Sequence, residues 1–104
     1  VHAEQRSTTT TAIQKLFVLN SPWMLERSRS LAALSAVEVA GDGDSATTGA
    51  RVAWLYRRLF SREPTREETR LALDYLRKAG ADVRARWAQY CQLLLAANEM
   101  LYVD

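Results

Sequence analysis

The chain has 104 residues, 48% of them hydrophobic and 25% charged, with 14 basic and 12 acidic side chains. That is the composition of one ordinary folded domain, long enough to bury roughly 60–65% of its unfolded surface without a disulfide or a metal. One Cys and one His exclude an internal disulfide, a zinc site built from several Cys and His, and a Cys-x-x-Cys-His haem attachment, and the longest strictly apolar run, Leu93–Ala97, falls far short of the ~20 residues that span a bilayer.

Charge is unevenly spread. Residues 1–50 carry 4 bases and 5 acids, and residues 51–104 carry 10 bases and 7 acids. The absence of Met at Val1 and the polar stretch His2–Thr11 point to a piece of a longer protein. Apolar residues recur at helical spacing nearly throughout, so the expected fold is all-α, a bundle of about five helices with antiparallel neighbours. Ala12, Ile13, Leu16 and Phe17 mark a first short helix ending near Asn20, with any of Thr8–Thr11 able to cap it. Ser21 and Pro22 then start a second helix, Ser21 as the cap and Pro22 in the first turn. Its inner face is Met24, Leu25, Ser28, Leu31, Ala32 and Ser35.

Residues 40–49, with Gly41-Asp42-Gly43-Asp44-Ser45 at their centre, read as a flexible loop. A third helix follows from about Ala50 to Ser61, with Val52, Leu55, Tyr56 and Leu59 as its core stripe. Thr65-Arg66-Glu67-Glu68 is a capping box in sequence. The fourth helix should turn Thr69, Ala72, Leu73 and Leu76 inward, pair Asp74 with Lys78 on its wet side, and stop at Gly80. Asp82 can cap the last helix, whose stripe is Val83, Trp87, Tyr90, Cys91, Leu94, Asn98 and Leu101. The fourth and fifth helices should form a hairpin against which the Val52–Leu59 stripe packs. From Leu93 to Val103 the last helix is apolar nearly all round, so it is enclosed or it covers another protein surface.

Motifs that carry chemistry are weak. Asp42-Gly43-Asp44-Ser45 opens like a calcium loop, but position 12 counted from Asp42 is Ala53, where a bidentate Glu is needed. His2 and Cys91 give no nucleophile–base pair, and no Gly-x-Ser-x-Gly elbow exists. Glu63, Glu67 and Glu68 are explained by capping and local ion pairs. Cys91 reads as a small core residue. Arg51, Arg57, Arg58 and Arg62 with Trp54 form a basic, aromatic helix face, which can be a solvated face or a phosphate- or nucleic-acid-binding surface. Trp23 and Trp54 lie off the core stripes, where a Trp contacts a partner or packs under a loop. A partner interface, if the chain has one, is therefore expected among Trp23, Trp54, Arg51, Arg58, Met100 and Tyr102. No catalytic, metal or cofactor-binding residue is expected.

Three segments carry a family resemblance. They are Arg6-x-x-Thr9-Thr10-x-x-x-Gln14-x-Leu16-Phe17-x-Leu19-Asn20-Ser21-Pro22, then Leu55-Tyr56-Arg57-Arg58-Leu59-Phe60-x-Arg62-Glu63-Pro64-Thr65-x-x-Glu68, then Trp87-Ala88-x-x-Cys91-Gln92-x-Leu94-Leu95-x-x-Asn98-Glu99-Met100-Leu101-Tyr102-Val103-Asp104. Together they resemble the C-terminal part of a planctomycete domain of unknown function. The resemblance runs from about Arg6 to Asp104. It departs at Ser61, where the family usually has Gly, and at Met100, where it usually has Phe.

The resemblance implies a periplasmic or cell-surface location and a large multidomain parent, often with a planctomycete cytochrome-c-like domain elsewhere. It implies no catalytic residue. The expectation is thus a single helical domain over 1–104, the C-terminal piece of a larger one, acting as a non-catalytic packing module. Its partner would be the remainder of the parent chain or another protein, with no membrane span. Two alternatives stand beside it. One is the tail of an exported polymer-degrading enzyme, which would need a polar groove built from residues such as Thr9, Gln14, Asn20 and Asn98. The other is nucleic-acid binding through the arginines of the third helix.

Overall fold

The computed structural model of the chain describes residues 21–41, 43–78 and 82–101, with side chains described as far as Asn98. These residues form four helices and no strand: α1 (Pro22–Glu38), α2 (Ser45–Phe60), α3 (Arg66–Leu76) and α4 (Val83–Leu101). The helix expected over 12–20 lies outside the described residues.

Local signals set the helix ends. At α1, the Ser21 hydroxyl accepts the Met24 N–H at 3.2 Å, and Pro22 occupies the first turn, where no N–H is needed. Its buried face is Met24, Ser28, Ala32 and Ser35. Both serines satisfy their hydroxyls on their own helix, Ser28 donating to the Met24 carbonyl at 2.9 Å and Ser35 to the Ala32 carbonyl at 2.7 Å.

The α2 helix corrects the loop expected over 40–49. It begins at Ser45, because the Asp44 carboxylate caps it by accepting the Thr47 N–H at 2.8 Å. Residues 45–49 are therefore helical, Gly49 included. Gly41 ends the preceding turn tight against Thr47: a Cβ placed there would collide with the Thr47 side chain. At its other end α2 stops at Ser61, which is left-handed with φ 57° and donates its N–H to the Arg57 carbonyl.

In α3 both arms of the capping box form. The Thr65 hydroxyl accepts the Glu68 N–H at 3.1 Å, and a Glu68 carboxylate oxygen accepts the Thr65 N–H at 2.8 Å. Ala72 is buried, and Thr69, Leu73 and Leu76 are half-buried. Asp74 pairs with Arg70 at 3.2 Å, not with Lys78. Gly80 lies outside the described residues. At α4 the Asp82 carboxylate accepts the Arg84 N–H at 2.9 Å. Trp87, Tyr90, Cys91 and Leu94 are buried as their spacing requires, joined by Leu95. Val83 departs from that stripe and is 67% exposed.

The α4 helix is the centre of the packing and touches each of the other three. Val52, Leu55 and Tyr56 of α2, Ala72 of α3, Ala32 of α1 and the α4 stripe make one core. α1 runs antiparallel to α4: Met24 packs on Leu95 at one end, and Ala36 borders Val83 at the other. The expected α3–α4 contact is present through Tyr75 and Tyr90, whose ring centroids lie 6.3 Å apart. The Tyr75 hydroxyl also donates to the Gln89 side-chain oxygen at 3.0 Å.

Candidate interaction surface

The arginines of α2 do not form one basic face. Arg57 is held by Glu63, donating to both carboxylate oxygens at 3.0 and 2.9 Å. Arg62 forms a two-pronged pair with Glu68 at 2.8 and 2.9 Å. That pair and the Thr65 N–H hold the Glu68 carboxyl down at about 2. Arg58 stays exposed with its guanidinium 5.1 Å from the Trp54 ring. Trp54 itself is half-buried against the core.

Arg51 is the residue whose role changes most. The sequence pattern places it with the outward arginines, but it turns inward between three helices. Its Nη2 donates to the Ser35 hydroxyl at 2.9 Å and to the Ala32 carbonyl at 3.0 Å, and its Nε reaches Ser35 at 3.2 Å. Its guanidinium lies 3.7 Å from the centroid of Trp87. Burial pulls its pKa below the ordinary arginine value. Arg51 thus ties α1, α2 and α4 together while remaining part-exposed at the clefts beside α1.

The other expected interface residues are dispersed. Trp23 sits on the first turn of α1, 62% exposed, with the Arg27 guanidinium 5.0 Å from its ring. The Met100 side chain and Tyr102 lie outside the described residues. So do Thr9, Gln14 and Asn20, leaving Asn98, half-buried, as the one described member of the expected polar groove. Cys91 is fully buried, and burial pushes its thiol up to about 12. Among the described residues no three His, Cys, Asp or Glu side chains converge as a metal site.

Two surface features escaped the sequence reading. The first is an outer stripe on α1 at residues 23, 27, 30, 34 and 37, turned away from the buried face, with Arg27 and Ser30 between its apolar members. Trp23, Leu34 and Val37 on it are 62%, 37% and 75% exposed. Spacing alone could have found it, since these positions repeat at three and four residues. The second is a groove of about 970 Å³ between α1 and the start of α4, where Ala32, Ala33 and Ala36 face Ala85 and Ala88. Its signal, small residues on two helices, becomes informative only once the two are known to be neighbours.

A family model described as PSD1, a protein of unknown function (DUF1553), matches residues 1–76. The chain belongs to this family. The match ends at Leu76, the last residue of α3, so α4, on which the other helices pack, lies beyond it. Neither the curated proteins nor the solved structures contain a match to the chain. Membership of PSD1 brings no activity with it, and among the described residues no helix is long and apolar enough to cross a membrane.

Proposed function

We propose that this chain is a non-catalytic helical packing module of a large exported planctomycete protein. In this reading it forms the C-terminal part of the PSD1 domain and docks on the rest of that protein. The observation that carries the docking is α1, which exposes three large apolar side chains away from the face it buries. One face packs on α4, and the other presents Trp23, Leu34 and Val37 to solvent. A helix with a second apolar face gains stability by covering another surface. Leu93 of α4, 56% exposed, adds to the apolar area left open. The planctomycete source and the periplasmic or surface location rest on the resemblance of the three segments quoted above.

Hydroxyl-radical footprinting tests the docking. Trp23 and Leu34 should be labelled more slowly in the intact parent protein than in the 104-residue chain. Replacing Trp23, Leu34 and Val37 together by Gln should restore rapid labelling of neighbouring α1 side chains in the parent, with helicity unchanged. Equal labelling of Trp23 in the two contexts would defeat the proposal.

A further inference from the structure

A second cleft lies on the molecule between the α1–α2 turn, the end of α3 and the start of α4. It has a volume of about 470 Å³ and is lined by Arg51, Arg77, Lys78 and Arg86, with Thr47 and Thr48. None of the described residues lining it is a carboxylate. Four like charges around one cleft repel one another, least screened where Arg51 and Arg86 are partly buried.

These cations are held differently from the arginines paired with acids, although Arg27 and Arg58 outside the cleft also lie over aromatic rings. Arg57, Arg62 and Arg70 are each fixed by acids. The three cleft arginines are fixed by neutral groups. Arg51 is held by Ser35, the Ala32 carbonyl and the Trp87 ring. Arg77 donates to the Ser45 hydroxyl. Arg86 lies over the Tyr75 ring at 4.7 Å, and its buried Nε has no hydrogen-bond partner among the described residues. Among the described residues, the nearby Asp44 and Asp82 each turn a carboxylate oxygen to a helix N–H, of Thr47 and Arg84. Cations oriented in advance, with spare donors and no carboxylate among the described lining residues, suit an anion.

We propose that this cleft binds a phosphate or sulfate group through Arg51, Arg77, Lys78 and Arg86. Three guanidinium groups and an ammonium offer more donors than a carboxylate has lone pairs to accept, and a doubly charged tetrahedral oxyanion answers both the donors and the charge. The cleft is wider than a bare oxyanion, and Val83 and Trp87 form an apolar wall to it. That extra room fits the small organic part of a phosphate or sulfate ester. The site is independent of the docking role of α1.

Isothermal titration at low salt tests it, with inorganic phosphate, inorganic sulfate, glucose 6-phosphate and glucose as probes. Saturable binding of phosphate or sulfate is expected, and none of glucose. If glucose 6-phosphate binds at least as tightly as phosphate the natural ligand is an ester, and if it binds more weakly the natural ligand is the free anion. The double variant Arg77→Gln/Lys78→Gln should weaken binding about tenfold or more. Lys78→Gln alone, an exposed change that breaks no bond, should weaken it in the same direction. Arg58→Gln, outside the cleft, should leave it unchanged. The proposal is overturned if neither oxyanion binds saturably, or if Arg58→Gln weakens binding as much as the cleft variants.

Discussion

Ser61 offers a clean test of how backbone conformation limits the stability of this fold. It ends α2 with φ 57°, in the left-handed region, which costs a residue bearing a Cβ roughly 1–2 kcal/mol. Its side chain is exposed and makes no hydrogen bond that would offset this. Glycine removes the steric cost but gives back about 0.5–1 kcal/mol through the greater freedom of the unfolded chain. Ser61→Gly should therefore stabilise the protein by about 0.5–1 kcal/mol. Unfolding entropy of about 2.1 cal/mol/K per residue turns that into a rise in Tm of about 2–5 °C. Ser61→Ala keeps the Cβ and should stay within about 0.5 kcal/mol of the wild type. Thermal and urea unfolding followed by circular dichroism measure both. If the glycine variant is no more stable than the alanine variant, the strain assigned to Ser61 is absent and the argument fails. Glycine is also what the resembled family usually carries here, so the substitution moves the chain towards that pattern.

Four further outcomes are expected. Arg51→Lys keeps a charge but loses the planar fork shared by Ser35, Ala32 and Trp87, and should cost about 1–2 kcal/mol in urea unfolding. Glu68 has its carboxyl lowered from 4.5 to about 2 by Arg62 and the Thr65 N–H, so its contribution is whole above pH 4.5 and fades as pH falls through 2. The Tm advantage of wild type over Glu68→Gln should accordingly be constant above about pH 5 and close below 4.5, staying small because the pair is solvent-screened. Gly41→Ala would drive a Cβ into the Thr47 side chain, which has little χ1 freedom in a helix, and should lower stability by about 1–3 kcal/mol in the same melts. Cys91, buried with its thiol raised to about 12, should react with a disulfide reagent at pH 8 only as fast as the protein unfolds.

Much of the fold was legible because its determinants are local. Ser21-Pro22, Thr65-x-x-Glu68 and Asp82 each announce a helix start within four residues, and each forms the expected cap. α2 starts at Ser45, earlier than local propensity suggests, for a physical reason. Thr47, Thr48 and Gly49 have poor helix propensity, but the Asp44 cap and the anchoring of α2 by Val52 and Leu55 outweigh it. The Asp44 carboxyl is correspondingly held below its ordinary value by the Thr47 N–H. Val83 failed differently. It continues the stripe of Trp87, Tyr90 and Leu94, but the first turn of α4 overhangs the two clefts beside α1, so the described residues leave it mostly exposed.

The surface was less legible, and the arginines show why. Arg57–Glu63, Arg62–Glu68, Arg70–Glu67 and Arg70–Asp74 all join residues within six positions of one another, so inspection of neighbouring charges can foresee them. The contacts that orient the cleft arginines reach further. Arg51 finds Ser35 16 residues away, and Arg77 finds Ser45 32 residues away. Trp87, a full helix beyond, supplies the ring beneath Arg51. A helix stripe describes only the direction of the Cα–Cβ bond. A long arginine side chain can fold back across it to a partner the stripe does not face. Locally paired arginines therefore spend their charge on the fold, whereas those held by distant neutral groups keep it for a ligand. That distinction, made by tertiary contacts alone, separates the α2 face, where sequence placed a basic surface, from the cleft, where none of the described lining residues is a carboxylate.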